Sequence, residues 1–273
     1  MAFSLAVSGF AGRMGRRVAA LAMADPGRVF DLVQALEAPD HETVGTPAGK
    51  LVPELPEDMV VEAHLNPAVD VLIDFSTPEG ALMRAGEATG RRAAYVIGTT
   101  GLTPAQQAAV YLAAETIPVV QAANFSVGVN LLLRVSEEIA RALGGDYNVE
   151  IVEAHHNGKA DAPSGTALAL ARSAAAGLDL DPDQAMVHGR HGRPGPRPRG
   201  EIGMHALRLG SVVGDHAVMF GGRHERIELV HRAESRDVFA AGALRAAQWL
   251  IGRKPGLYGM GDVLFGEKGN RGA

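Results

Sequence analysis

The sequence predicts an α/β protein in two parts, an open parallel sheet with helices on both faces and a smaller α+β region built on a mixed sheet. Three observations predict it. Short apolar runs alternate with helical stretches through the first 125 residues, as buried parallel strands and their crossover helices do. A turn with three glycines, Gly9-Phe10-Ala11-Gly12-Arg13-Met14-Gly15, follows the first apolar run and opens a helix. Beyond residue 125 the alternation stops, and later apolar runs follow one another without helices between them.

Taken in order, Leu5 to Ser8 reads as the first strand and Arg16 to Ala24 as an alanine-rich helix stopped by Asp25-Pro26-Gly27. Val29 to Leu36 is the second strand and ends at Glu37. Val69 to Phe75, Ala93 to Ile97 and Ile117 to Ala122 are further strands, with helices over Gly80 to Thr89 and Pro104 to Thr116 between them. Val127 to Leu143 is one long amphipathic helix. Tyr147 to Glu153 is a strand running into a pair of histidines, and Gly165 to Ala176 is a helix. Glu201 to Leu209, Ala217 to Phe220 and Ile227 to His231 read as strands, and Phe239 to Ile251 as the last helix. Residues 188–200, rich in Arg, Gly and Pro, read as a mobile solvated loop with no assigned function.

Composition narrows the possible functions. A chain of 273 residues is long enough for two domains. A net charge of -5 gives no electrostatic reason to bind nucleic acid or an anionic membrane surface. The absence of cysteine excludes disulfides, thiolate metal sites and thiol catalysis. No apolar run reaches the ~20 residues that a membrane helix needs. The first residues lack a basic n-region and read as a strand rather than a signal peptide, so the cytoplasm is expected.

Two constellations carry chemistry. Gly9, Gly12 and Gly15 follow a strand and open a helix, where a dinucleotide pyrophosphate is cradled in a Rossmann-like domain. Their G-x-x-G-x-x-G spacing departs from the standard G-x-G-x-x-G and is weak by itself. Glu37 strengthens it, since an acidic residue roughly 20 residues past the glycines receives ribose hydroxyls. Gly98-Thr99-Thr100 and Ala122-Ala123-Asn124-Phe125 each follow a strand at the edge where such sheets bind ligands, although ordinary strand-end turns would look the same. The second constellation is denser. His155, His156 and Lys159 are groups suited to proton transfer, and Ser164, Gly165 and Thr166 open a helix whose N–H groups and dipole attract an anion. Ser164 reads equally well as a helix cap, and Asp161 either orients Lys159 or makes the turn, with the turn favoured. A metal site on Glu153, His155 and His156 is set aside, because adjacent strand histidines point to opposite faces and helical metal pairs are spaced i, i+4.

The stretch Glu153-Ala154-His155-His156-Asn157-Gly158-Lys159-Ala160-Asp161-Ala162-Pro163-Ser164-Gly165-Thr166-Ala167 resembles the signature of the 4-hydroxy-tetrahydrodipicolinate (dihydrodipicolinate) reductase family of bacterial lysine and diaminopimelate biosynthesis. Val7-Ser8-Gly9 to Met14-Gly15-Arg16, Ile97 to Gly101 and Ala122 to Val129 resemble the same family, in the same order. The resemblance implies a dinucleotide-binding domain from residues 1–125 with 238–273, and a substrate-binding and oligomerisation domain from 126–237. It implies NAD(P)H-dependent reduction of a small anionic dicarboxylate imine, with loss of water and without a metal, by a cytoplasmic homotetramer. His155 would donate or accept a proton and Lys159 would donate one, while His156, Gly165 and Thr166 bind substrate. Gly9, Phe10, Ala11, Gly12, Arg13, Met14, Glu37, Gly98, Thr99, Thr100, Ala122, Ala123, Asn124 and Phe125 would hold the cofactor. Relatives that accept NADPH well tend to carry arginine just after the acidic residue, where this chain has Ala38, so NADH use is expected and NADPH would rely on Arg13. Another small-molecule dehydrogenase, or a sensor that binds NAD(H) without turnover, are the alternatives that the intact His155 and Lys159 argue against.

Overall fold

The computed structural model describes residues 2–66 and 69–266, and the chain divides into two compact units, Met1–Val127 with Arg236–Ala273, and Gly128–Ser235. Residues 267–273, which the sequence reading assigns to the returning tail, lie outside the described residues, as does residue 1.

In unit 1 the strands β1 (Phe3–Ser8), β2 (Phe30–Leu36), β3 (Val61–Glu62), β4 (Val71–Asp74), β5 (Ala94–Ile97) and β6 (Pro118–Gln121) join a late strand, β12 (Gly256–Tyr258), in the order β12-β6-β5-β4-β1-β2-β3. Every pairing is parallel. β4 and β5 are buried along their whole length, which explains why they read as unbroken apolar runs. The order reverses between β1 and β4, so the crevice beyond their carboxyl ends is the topological switch point.

Helices α1 (Arg13–Ala24), α2 (Pro78–Arg91) and α3 (Pro104–Ala114) connect the strands. Thr77 and Thr103 cap α2 and α3, each ahead of a proline at the first helical position. α1 begins three residues before the predicted Arg16, so Arg13, Met14 and Gly15 form its first turn. The late helix α7 (Asp237–Leu250) packs on α1 and on β4, β5 and β6 through a stripe of Ala240, Ala243, Ala246, Ala247 and Leu250. A Cβ at Gly242 would lie 1.8 Å from the Phe125 carbonyl oxygen, so only glycine permits that approach. α8 (Met260–Phe265) follows β12. β3, β12 and α8 are too short to show a period and are absent from the sequence reading.

In unit 2, α4 (Val127–Leu143) leads to β7 (Asn148–His155), α5 (Gly165–Leu178) and α6 (Pro182–Ala185). β8 (Met186–His188), β9 (Ile202–Arg208), β10 (Asp215–Gly221) and β11 (Arg226–Arg232) complete a sheet ordered β11-β10-β7-β9-β8. β7–β9 and β8–β9 are parallel, β7–β10 and β10–β11 antiparallel, so the sheet is mixed. On β7 alternate residues are buried, and the same alternation that puts Val149 and Ile151 into the core puts Glu153 and His155 there too.

The 188–200 stretch is solvent-exposed apart from the half-buried Arg197, and two of its arginines are tied to β7. Arg190 Nη2 and Arg197 Nε each lie about 3 Å from Glu150 Oε1, at 2.9 and 3.0 Å, and Arg197 also donates to the Val149 carbonyl. Burial raises the Glu150 carboxyl, but Arg190, His205 and Arg197 outweigh it and hold it down to about 2. Among the described residues no helix is long and apolar enough to cross a membrane.

Candidate active site

At the switch point of unit 1, Gly9 adopts φ +72°, and a Cβ there would sit 2.4 Å from the Phe75 carbonyl oxygen. A Cβ at Gly15 would meet the Gly9 oxygen at 2.2 Å. These glycines let the turn after β1 close against the loop after β4 and let α1 start directly above it. Gly12 caps α1 without a side-chain hydrogen bond, and no acidic residue stands in the first turn. The helix start is therefore left for an external anion. Glu37, 8% exposed at the end of β2, accepts from the Ala11 N–H at 2.6 Å, which puts its carboxylate at the same turn. These features fit a dinucleotide, with the pyrophosphate at the helix start and a ribose at Glu37.

The other cofactor candidates differ in what they expose. Phe10 and Phe125 are core side chains, the latter edge-on to Phe75 at 5.7 Å, so only their backbone could face a ligand. Arg13 and Thr100 are exposed. Thr99 is buried, with its hydroxyl 3.4 Å from Asp74 Oδ2. Asn124 turns its Oδ1 to the Ser126 N–H at 2.8 Å, shaping the bend after β6. Two residues that the sequence reading missed organise this edge. Asp74, fully buried, accepts from the Tyr95 hydroxyl at 2.8 Å. Arg84, 1% exposed, donates to Ser8 Oγ (3.0 Å), to the carbonyls of Ala63 (2.9 Å) and Glu37 (2.8 Å), and to Glu87 (2.6 Å). It thereby ties the ends of three strands together.

In unit 2 the register of β7 assembles the second site. It sets Glu153 opposite His216 of β10, and His155 opposite Arg208 of β9. His155 Nδ1 lies 2.6 Å from Glu153 Oε2. Arg208 Nη1 reaches both Glu153 oxygens, at 3.1 and 3.0 Å, and the Ser164 N–H donates to Oε1 at 3.1 Å. Burial raises the Glu153 carboxyl, but hydrogen bonds from Arg208 and His155 outweigh that and hold it below the ordinary carboxylate range.

Lys159 Nζ lies 2.8 Å from Asp161 Oδ1, so Asp161 is an ion-pair partner and not merely a turn residue; Lys159 in turn pulls its carboxyl down. The Lys159 backbone closes on the His156 carbonyl at 3.1 Å, which folds the intervening residues into a tight turn. Ser164 is the N-cap of α5, accepting from the Ala167 N–H at 3.1 Å, and its hydroxyl also contacts His216 Nε2 at 3.1 Å. Gly165 and Thr166 form the first turn of α5.

His216 stacks edge-on against His155 at 5.2 Å, and burial, with the His155 charge second, lowers it to about 4. The folded state thus takes up this proton less readily than the unfolded chain, whose histidine titrates near 6.5. The stability that His216 contributes is complete above about pH 6.5 and is lost as pH falls to about 4, on the order of 3 kcal/mol. Melting temperature measured across that window is expected to fall more steeply for the wild type than for His216→Gln; equal slopes would remove His216 as the titrating group.

A doubly wound parallel sheet with this glycine turn and an acidic residue closing its second strand defines a dinucleotide-dependent oxidoreductase. Residues 3–125 match the family described as "Dihydrodipicolinate reductase, N-terminus", and residues 128–264 match "Dihydrodipicolinate reductase, C-terminus". The chain belongs to the dihydrodipicolinate reductase family. It is 49% identical to the 4-hydroxy-tetrahydrodipicolinate reductase of Alkalilimnicola ehrlichii, over 97% of this chain and 99% of that one. Identity to the reductase of the same name from Rubrobacter xylanophilus is 48%, over 94% and 96%. Among solved structures, a dihydrodipicolinate reductase from Paenisporosarcina sp. TG-14 with dipicolinate bound matches with a TM-score of 0.73 at 26% identity, covering 95% of this chain and 98% of that one.

Proposed function

We propose that the protein reduces 4-hydroxy-tetrahydrodipicolinate, with loss of water, to tetrahydrodipicolinate in lysine biosynthesis through diaminopimelate, using NAD(P)H. The observation that carries the reading is near-full-length identity of 49% and 48% to relatives named for this reaction. When bound, the reduced nicotinamide supplies the hydride. The glycine turn, Arg13 and Met14 at the start of α1, Glu37, the 98–100 turn and the 122–125 bend are the residues assigned to hold it.

In unit 2, His155 moves a proton, and Lys159 donates one while its charge attracts a substrate carboxylate. His156 and the first turn of α5 at Gly165 and Thr166 receive the carboxylates, because backbone N–H groups and the helix dipole favour negative charge there. Homotetramer formation, implied by the family, would draw on Leu207, Leu209 and Val230, large apolar side chains left exposed in unit 2. A cytoplasmic location fits a chain without cysteines.

The test is a coupled assay in which the preceding synthase generates the substrate from pyruvate and aspartate semialdehyde, with NADH and NADPH oxidation followed separately. Substrate-dependent oxidation is expected, and its absence from folded protein would overturn the reading. Glu37 repels a 2′-phosphate and Ala38 offers no guanidinium to offset it, so Ala38→Arg is expected to raise the NADPH-to-NADH ratio of kcat/KM about fivefold to tenfold, about 1 to 1.4 kcal/mol. An unchanged ratio would assign the preference to another group.

A further inference from the structure

We propose that Glu153 is a positioning residue, held by Arg208, that fixes the proton of His155 on Nδ1 and so makes Nε2 the atom that exchanges protons with substrate. This rests on the function proposed above. Glu153 is 1% exposed, sits two residues before His155 on β7, and places Oε2 2.6 Å from the ring nitrogen. An ionised carboxylate only accepts hydrogen bonds, so the Nδ1 that faces it must carry the hydrogen.

The carboxylate cannot turn away. Its Oε1 is occupied by the Ser164 N–H, and both oxygens are engaged by Arg208 Nη1. Arg208 reaches further, donating through Nε to the Lys159 carbonyl at 3.3 Å and through Nη2 to the Asp161 carbonyl. One guanidinium therefore sets both the acid that orients His155 and the turn that carries Lys159. The remaining ring nitrogen, Nε2, lies toward Gly214: a Cβ built there would be 3.1 Å from it, so any larger residue would crowd the proton-exchanging atom. The groups shown against the His155 ring are Glu153 from its own strand and His216 from β10, while Arg208, its register partner on β9, and the Ser164 N–H hold the Glu153 carboxylate.

Glu153→Gln tests the assignment. The amide oxygen is retained by the Ser164 N–H and Arg208, which turns the amide NH2 toward Nδ1 and forces the hydrogen onto Nε2. A fall in kcat of about 10²- to 10⁴-fold is expected, the range seen when a histidine base is left in the wrong tautomer or a general acid is lost. NADH affinity and KM should change little. In 15N-labelled protein, with the His155 signals assigned by comparison with His155→Asn, the wild type is expected to carry its hydrogen on Nδ1 and the variant on Nε2. A folded Glu153→Gln enzyme with near-normal kcat, or one that slows without a change of tautomer, would overturn the proposal. Should the variant not fold, the wild-type spectrum decides alone: a neutral His155 with its hydrogen on Nε2 rejects the idea. Failure of the wild type to turn over substrate would count against the function and leave the tautomer measurement standing.

Discussion

Lys159→Ala is expected to lower kcat about 10²- to 10⁴-fold, the contribution typical of a positioned general acid, while NADH binding persists. The two readouts separate because Lys159 lies in unit 2, and the glycine turn and Glu37 lie in unit 1. Stability should change little. The Lys159–Asp161 pair has an acid partner whose side chain is 63% exposed, and such pairs contribute about 0 to 1 kcal/mol. Steady-state kinetics with saturating NADH, together with calorimetric titration of NADH, make the comparison. Near-normal turnover would take Lys159 out of the chemistry and leave His155 to supply the proton.

The largest effect on stability is expected at Arg84. Methionine there approximates the volume but strips donors from Ser8 Oγ and from the carbonyls of Ala63 and Glu37, and removes the cation beside Glu87. Removing one partner of a buried pair typically costs about 3 to 5 kcal/mol. Glu87 keeps contacts with His64 and the Leu65 N–H, which places Arg84→Met toward the lower end of that range. The only tryptophan, Trp249, lies on α7 of unit 1, so its fluorescence during urea unfolding reports on the affected unit. A loss under 1 kcal/mol would mean that water replaces the guanidinium. NADH affinity should weaken as well, because Arg84 holds the backbone of Glu37.

Most of unit 1 was readable in the sequence because parallel strands buried on both faces appear as unbroken apolar runs, although the Thr77-Pro78 start of α2 was passed over in favour of Gly80. Where α1 begins was not readable, since Arg13, Met14 and Gly15 look alike as loop or as first turn. Strands of two or three residues such as β3 and β8 carry too little pattern to be seen. The residues singled out for chemistry in unit 2 were visible together because they lie in one continuous block, 155–166. Their partners were not. Arg208 and His216 arrive on strands whose register against β7 is a tertiary fact, and nothing near them in the chain distinguishes them from its other arginines and histidines. Glu153 was in view throughout, yet only the alternation of β7 shows that its carboxylate points inward beside His155.

The chain leaves unit 1 at Val127 and re-enters it at Arg236, and this bears on how the protein is made. On the ribosome, six strands of the first sheet emerge before α7 does, so the alanine stripe that belongs on α1, β4, β5 and β6 is missing while the whole of unit 2 is translated. Unit 2 has its complete sheet and core in one uninterrupted segment and can mature first. The nascent nucleotide half meanwhile lacks the helix that packs on α1, β4, β5 and β6, and apolar surface left uncovered in this way is the kind of exposure that engages chaperones. A helix translated after the whole of unit 2 is thus the part that seals the first sheet.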